Sequence, residues 1–231
     1  MGHSALESVG KLFAEGFAFN PDYVLIYNAW NDIKYLSSQK TVLRTLPPWY
    51  GQFDPRIHSS NMLDRWLCEG SQLYTVLRRL YYKTTMKIEK EGLRKAEDKQ
   101  WELSELNSQG FPQHQLTMEV FVDLARNVRA KPILMTQARL VDSANTSAQR
   151  ERIDYHHVGL THEVLVKTFD KLDEIVRNVA IEKDVVLIDA SAYLSGKAWA
   201  FYDHVHLDLA GKGSEALAQF IADRLQDVLR E

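Results

Sequence analysis

Asp203 and His206 stand three residues apart in Phe201-Tyr202-Asp203-His204-Val205-His206-Leu207, near the end of a 231-residue chain. On a loop, that spacing lets a carboxylate and an imidazole converge on one point. Such a pair can form the acid–base half of a serine-type hydrolase, with the imidazole moving a proton and the carboxylate orienting it. His204 is the competing imidazole. Its neighbour Asp203 is too close in sequence to support it easily, whereas His206 can fold back onto the carboxylate. An isolated Asp-x-x-His also occurs in purely structural loops. This one is set apart by its place, after the last apolar strand pattern and directly before the final helix.

A second set of residues lies in Tyr27-Asn28-Ala29-Trp30-Asn31-Asp32. Asn31 can aim an amide N–H at an oxyanion, a charge that develops only in the transition state. Asn and Asp are equally at home as helix caps, so Asn31-Asp32 can also do no more than start the next helix. Both readings stand at this point.

Three short apolar runs have the form of buried parallel strands: Tyr23–Tyr27, Pro132–Thr136 and Val185–Asp189. They are β-branched-rich and apolar on both faces, as expected when helices cover both sides of a sheet. Helical periodicity precedes each run, through Leu6, Val9, Leu12 and Phe13, through Val120, Phe121, Leu124 and Val128, and through a long stripe from Val164 to Val179. A last helix follows Gly213, with Leu217, Phe220, Ile221, Leu225 and Val228 on one face. The alternation predicts a single α/β domain over residues 1–231, three-layered around a parallel sheet. Ligands in such sheets bind beyond the carboxyl ends of the strands, where Asn31 falls. Residues 37–115 break the rhythm with Pro47-Pro48, several aromatics and a charged run from Lys87 to Glu102. They read as a helical insertion or cap placed to wall a site.

The bulk numbers exclude several classes. A net charge of −3 provides no global field for nucleic acid. One cysteine, Cys68, excludes an intrachain disulfide. No apolar run reaches the roughly 20 residues of a membrane span, and the N-terminus has no signal-peptide pattern, although localisation stays open if the front of the chain is cut. There is no Gly-rich phosphate loop, and His156-His157 has no convergent ligands to make a metal site, so no cofactor is expected.

The residues together resemble the SGNH (GDSL-type) esterase and lipase family. Its third block, G-x-N-D after a strand, is similar to Ala29-Trp30-Asn31-Asp32, with Ala29 in place of Gly. Its fifth block, D-x-x-H-L, is matched in full by Asp203, His206 and Leu207. Asp22–Ile26, Lys131–Gln137, Ala180–Asp189 and Gly211–Ala218 are also family-like. The likeness covers about residues 18–35 and 115–229; residues 37–115 match nothing in it. The resemblance implies a flavodoxin-like SGNH fold, His206 as general base, Asp203 as its orienting carboxylate and Asn31 as an oxyanion donor. The family's second oxyanion donor is a Gly N–H some 30 residues before the Asn, a position that Gly2 fills. The implied substrate is a carboxylic ester, acyl or acetyl, on a small molecule, carbohydrate or lipid.

One block departs from the pattern. The family's nucleophile sits in G-D-S at the end of its first strand, and nothing of that form precedes Asn31 here. Ser4, in Gly2-His3-Ser4, is the only superficial match. Ser59, Ser60, Ser143 and Ser191 are read as lacking the strand-to-helix setting that exposes and activates an Oγ. By the family pattern the first two strands are missing. The Tyr23–Tyr27 strand is then expected at an exposed sheet edge, through which the chain self-associates. Two functions remain open: an ester hydrolase, inactive in this chain if the serine is absent, or a non-catalytic relative that binds a ligand or partner.

Overall fold

The structure is a computed structural model that describes residues 4–36, 110–158, 160–209 and 211–229, together with helical positions within 63–81. The chain divides into two compact units, Lys40–Trp101 and Gly2–Gln39 with Glu102–Glu231. Of the first, the described residues are almost all helical, with Ser71 accepting the Tyr74 N–H at the start of a turn. The charged run Lys87–Glu102 lies outside the described residues.

The second unit carries the α/β fold. Its elements are α1 (Ala5–Phe19), β1 (Tyr23–Ile26), α2 (Trp30–Leu36), α3 (Gly110–Asn127), β2 (Lys131–Met135), α4 (Ser147–Arg150), α5 (Tyr155–Val158), α6 (His162–Glu182), β3 (Val186–Ile188), α7 (Ala190–Leu194), a 3-10 turn (Ala198–Ala200) and α8 (Lys212–Leu229). The strands form one parallel sheet in the order β1-β2-β3, with Ile26 opposite Leu134 and Met135 opposite Ile188. The three apolar runs of the sequence are these strands, within a residue at each end.

Strand alternation sorts the side chains to two cores. Val24, Ile26, Leu134 and Leu187 pack with α1, α3 and α6 on one face. Tyr23, Ile133, Met135 and Ile188 pack with α7 and α8 on the other. The architecture is therefore α/β/α. A third cluster joins Trp30 and Ile33 of α2 to Leu165, Phe169 and Leu172 of α6, and includes Val205 from the loop before α8. Phe169 and Leu165 are fully buried there, each worth roughly 1.5–3 kcal/mol relative to exposure.

β1 is one of the two edge strands among the described residues. The Lys131 N–H donates to the Asp22 carbonyl at 2.8 Å, so the alternate groups of Tyr23 and Leu25 turn away from β2. A groove of about 480 Å³ runs along this side of β1, lined by Leu12, Phe19, Val24, Leu25, Ile26 and Phe121 among others. It reaches Asn28 but none of Asn31, Asp203 and His206. Among the described residues no helix is long and apolar enough to cross a membrane.

Candidate active site

The loop between the 3-10 turn and α8 folds on itself. Phe201 and Leu207 pair as an antiparallel bridge, and the Tyr202 N–H donates to the His206 carbonyl at 2.8 Å. Buried Phe201 and Val205 pin the loop to separate cores. Asp203 organises its interior. Its Oδ1 accepts the N–H groups of Val205 and His206, both at 2.8 Å, an Asx-type turn that Asp makes readily. Its Oδ2 lies 2.6 Å from His206 Nδ1. Burial raises the Asp203 carboxyl, but the His206 and Val205 amides and the His206 imidazole outweigh it and hold the group below its ordinary value. Asp203 is thus an anion with one oxygen on the backbone and one on the imidazole. That pairing leaves Nε2 as the nitrogen available for proton transfer, on a side chain 76% exposed.

His204 is placed differently. Its Nδ1 lies 4.0 Å from Asp203, and its ring packs on the Trp30 ring with centroids 4.2 Å apart. Burial lowers its imidazole pKa despite the neighbouring Asp203 and Asp154. Arg152 holds the approach to this loop by donating to the carbonyls of Phe201 and Tyr202. Gly213 permits α8 to start against it, because a Cβ there would lie 2.0 Å from the Ala200 carbonyl oxygen.

Asn31 sits half-buried in the first turn of α2, just past the carboxyl end of β1. α2 begins at Trp30, so neither Asn31 nor Asp32 occupies its N-cap, and the capping alternative for this pair does not hold. Asp32 serves another helix. Its Oδ1 accepts the Ala5 N–H at 2.9 Å, satisfying one of the donors that the start of α1 leaves without an intrahelical partner. Ser8 Oγ donates to Asn28 Oδ1 at 3.0 Å, and the Trp30 N–H donates to Gln137 Oε1 at 2.6 Å. The Asn28–Asp32 segment is therefore tied to α1 at both ends and to the loop after β2 in its middle.

Asp32 Oδ2 lies 3.7 Å from His114 Nδ1 of α3, in a buried pocket where Asp32 Oδ2 and His114 Nε2 have no hydrogen-bond partner. Burial pushes Asp32 up to about 7 and His114 down to about 4. The attraction of two ions at 3.7 Å is outweighed by the cost of removing both from water, so the neutral pair is favoured.

The structure brings Asp203 and His206 into direct contact, and sets their loop against the Asn31 loop through the His204 and Trp30 rings. Gly2 lies outside the described residues. Ser4 is the N-cap of α1 and is buried; its Oγ accepts the Glu7 N–H and donates to the Glu7 carboxylate. This capping box accounts for its hydroxyl structurally. Ser59 and Ser60 lie outside the described residues. Ser191 does stand in a strand-to-helix setting, in the first turn of α7 just after β3, but its side chain is buried. Its Oγ is engaged, donating to Asp173 at 2.6 Å and accepting from Arg139 Nη1 at 2.8 Å. Among the described residues no serine hydroxyl bonds to His206, and no cluster of three or more His, Cys, Asp or Glu side chains is set to hold a metal.

Sequence reasoning did not single out Gln137, Arg139 or His114 as parts of this region. Gln137 and Arg139 stand at the carboxyl end of β2, where side chains meet the loops after β1 and β3; His114 has no local signal.

No protein-family model matches the chain, and no curated protein does. Solved structures that resemble it include a catalytic mutant of an acetylxylan esterase from Geobacillus stearothermophilus, at 13% identity and a TM-score of 0.47, covering 96% of this chain and 68% of that one. An alpha/beta hydrolase enzyme from the metagenome of Lake Arreo, Spain, resembles it at 13% identity and a TM-score of 0.48, covering 96% and 67%. A further mutant of an acetyl-xylooligosaccharide esterase from the Geobacillus species matches at 13% identity and 0.48, covering 96% and 68%.

Proposed function

We propose that this chain carries the acid–base and oxyanion machinery of an SGNH-type ester hydrolase acting on carboxylic esters. The observation that carries this reading is the 2.6 Å contact between Asp203 Oδ2 and His206 Nδ1, with the carboxylate fixed by two backbone N–H groups. His206 takes the proton of the attacking hydroxyl through Nε2. Asp203 orients the ring and stabilises the imidazolium. Asn31 donates to the oxyanion of the tetrahedral intermediate, and Gly2 supplies a second N–H to it. Acetyl or longer acyl groups, on carbohydrate or lipid alcohols, are the substrate class.

A second reading is favoured by a specific observation: His206 is bonded to Asp203 and, among the described residues, to no serine. On this reading the chain binds an ester-like ligand or a partner without turning it over. The two are separated by treating the folded protein with a fluorophosphonate and measuring p-nitrophenyl acetate hydrolysis. The hydrolase reading expects a labelled serine and turnover that His206→Ala abolishes. Near-wild-type turnover in His206→Ala would refute the dyad assignment, and absence of both labelling and turnover in a folded sample favours the binding module.

A further inference from the structure

The loop after β2 touches both halves of the candidate site. Gln137 Oε1 accepts the Trp30 N–H at 2.6 Å, one residue before Asn31. Trp30 is the first residue of α2, so its N–H has no partner within the helix and must find one elsewhere. Three residues further along, the Leu140 N–H donates to the His204 carbonyl at 2.8 Å, two residues before His206. The circuit closes through the 4.2 Å packing of the His204 ring on the Trp30 ring.

The middle of this circuit is rigid. Arg139 Nη1 donates to the Gln137 carbonyl at 3.2 Å and to Asp173 at 2.6 Å, with both Arg139 and Asp173 side chains 4% exposed. The guanidinium also lies over the fully buried Phe169 ring at 4.3 Å. A buried, doubly held arginine keeps the loop backbone in one place. Most of these links are backbone groups or lie in the core. The Gln137 side chain is the link by which this frame reaches the Trp30 backbone.

We infer that Gln137 is a positioning residue that sets the Asn31 loop against the Asp203–His206 loop. It touches neither member of the dyad and acts through the Trp30 amide. On the proposed ester chemistry, on which its kinetic consequence rests, a small displacement of Asn31 removes an oxyanion contact that forms only in the transition state. Such a displacement lowers kcat while leaving ground-state binding alone.

The test compares wild type with Gln137→Met, which keeps length and removes the acceptor, and Gln137→Glu, which keeps an acceptor. Amide exchange at Trp30 and the His204 ring resonances are followed by NMR, and p-nitrophenyl acetate hydrolysis is measured in parallel. In Gln137→Met we expect about tenfold faster Trp30 exchange, shifted His204 signals and about tenfold lower kcat at a KM within about twofold. Gln137→Glu should retain Trp30 protection. If Gln137→Met does not fold, Gln137→Asn, one methylene shorter, replaces it with the same expectations. Unchanged Trp30 exchange overturns the assignment, as does faster exchange with unchanged His204 signals and unchanged kcat. If the wild type hydrolyses no ester, the proposed function fails separately. The NMR readouts then decide: joint movement of Trp30 and His204 upholds the coupling, and movement at Trp30 alone overturns it.

Discussion

Asp32→Asn should change the pH profile of stability in a direction that the buried Asp32–His114 pair dictates. Burial pushes the Asp32 carboxyl from 3.8 up to about 7; the Ala5 N–H opposes that shift and the Glu7 charge adds to it. Each tenfold change in proton affinity is about 1.4 kcal/mol, so the span from 3.8 to about 7 corresponds to about 4 kcal/mol. The folded state holds this proton more tightly than the unfolded chain. The associated stability is complete below pH 3.8 and is lost as pH rises through about 7. His114 runs the other way. Burial lowers it from 6.5 to about 4, so its contribution of about 3 kcal/mol is present above 6.5 and lost as pH falls through about 4.

Between pH 4 and 6.5 the two slopes oppose each other and nearly cancel. Substitution uncovers them one at a time. Asn at 32 keeps an acceptor for the Ala5 N–H but has no proton to exchange. The assay is urea denaturation at half-unit steps from pH 4 to 8, read as wild type minus variant so that all other titrating groups drop out. For Asp32→Asn the difference should fall by about 4 kcal/mol between pH 4 and 8. For His114→Gln it should rise by about 3 kcal/mol from pH 4 to 6.5. If Asp32 and His114 instead formed a true ion pair, the carboxyl would be depressed and the imidazole raised, and both differences would change sign. A difference that is flat, or of the opposite sign, refutes the claim that desolvation outweighs attraction across 3.7 Å.

Four further outcomes follow from the same contacts. Ser4→Ala removes the α1 capping box and should cost about 1 kcal/mol in a denaturant melt while leaving any ester turnover unchanged; a matching loss of turnover would return Ser4 to the nucleophile role. Arg139→Met strands Asp173 in the core and should cost about 3–5 kcal/mol, more at pH 8 than at pH 5 because burial already raises the Asp173 pKa and its protonation relieves the charge. Phe169→Ala should cost about 3–5 kcal/mol by the same melt, since it empties a fully buried site and removes the ring beneath the guanidinium. We propose that the β1 edge mediates self-association, so Leu25→Lys should lower the apparent mass in light scattering; an unchanged mass counts against the edge as the contact.

Local chemistry made much of the scaffold legible. The three strands were readable because a short apolar run with both faces covered has few other uses. The Asp203–His206 contact was readable because an Asx turn closes an i to i+3 pair within one loop, and the backbone amides of residues 205 and 206 supply the closure. The helix starting before Asn31 was not readable, because Trp30 at its first position is a weak start signal and its N–H is satisfied by Gln137, 107 residues away. What Ser191 does was not readable for a similar reason: its engagement depends on Arg139 and Asp173 from distant segments.

The sequence by itself determined the α/β class, the order of the strands along the chain and the Asp203–His206 contact, since each depends on periodicity or on neighbours within a few residues. Tertiary structure alone decided which loops share a site and what each buried polar group does. Asp32 meets Ala5 across 27 positions, and Leu140 meets His204 across 64, through backbone groups whose partners no local pattern announces. Burial then gave Asp32 and His114 opposite proton affinities, because the cost of a buried charge depends on the three-dimensional surroundings and not on the residue type.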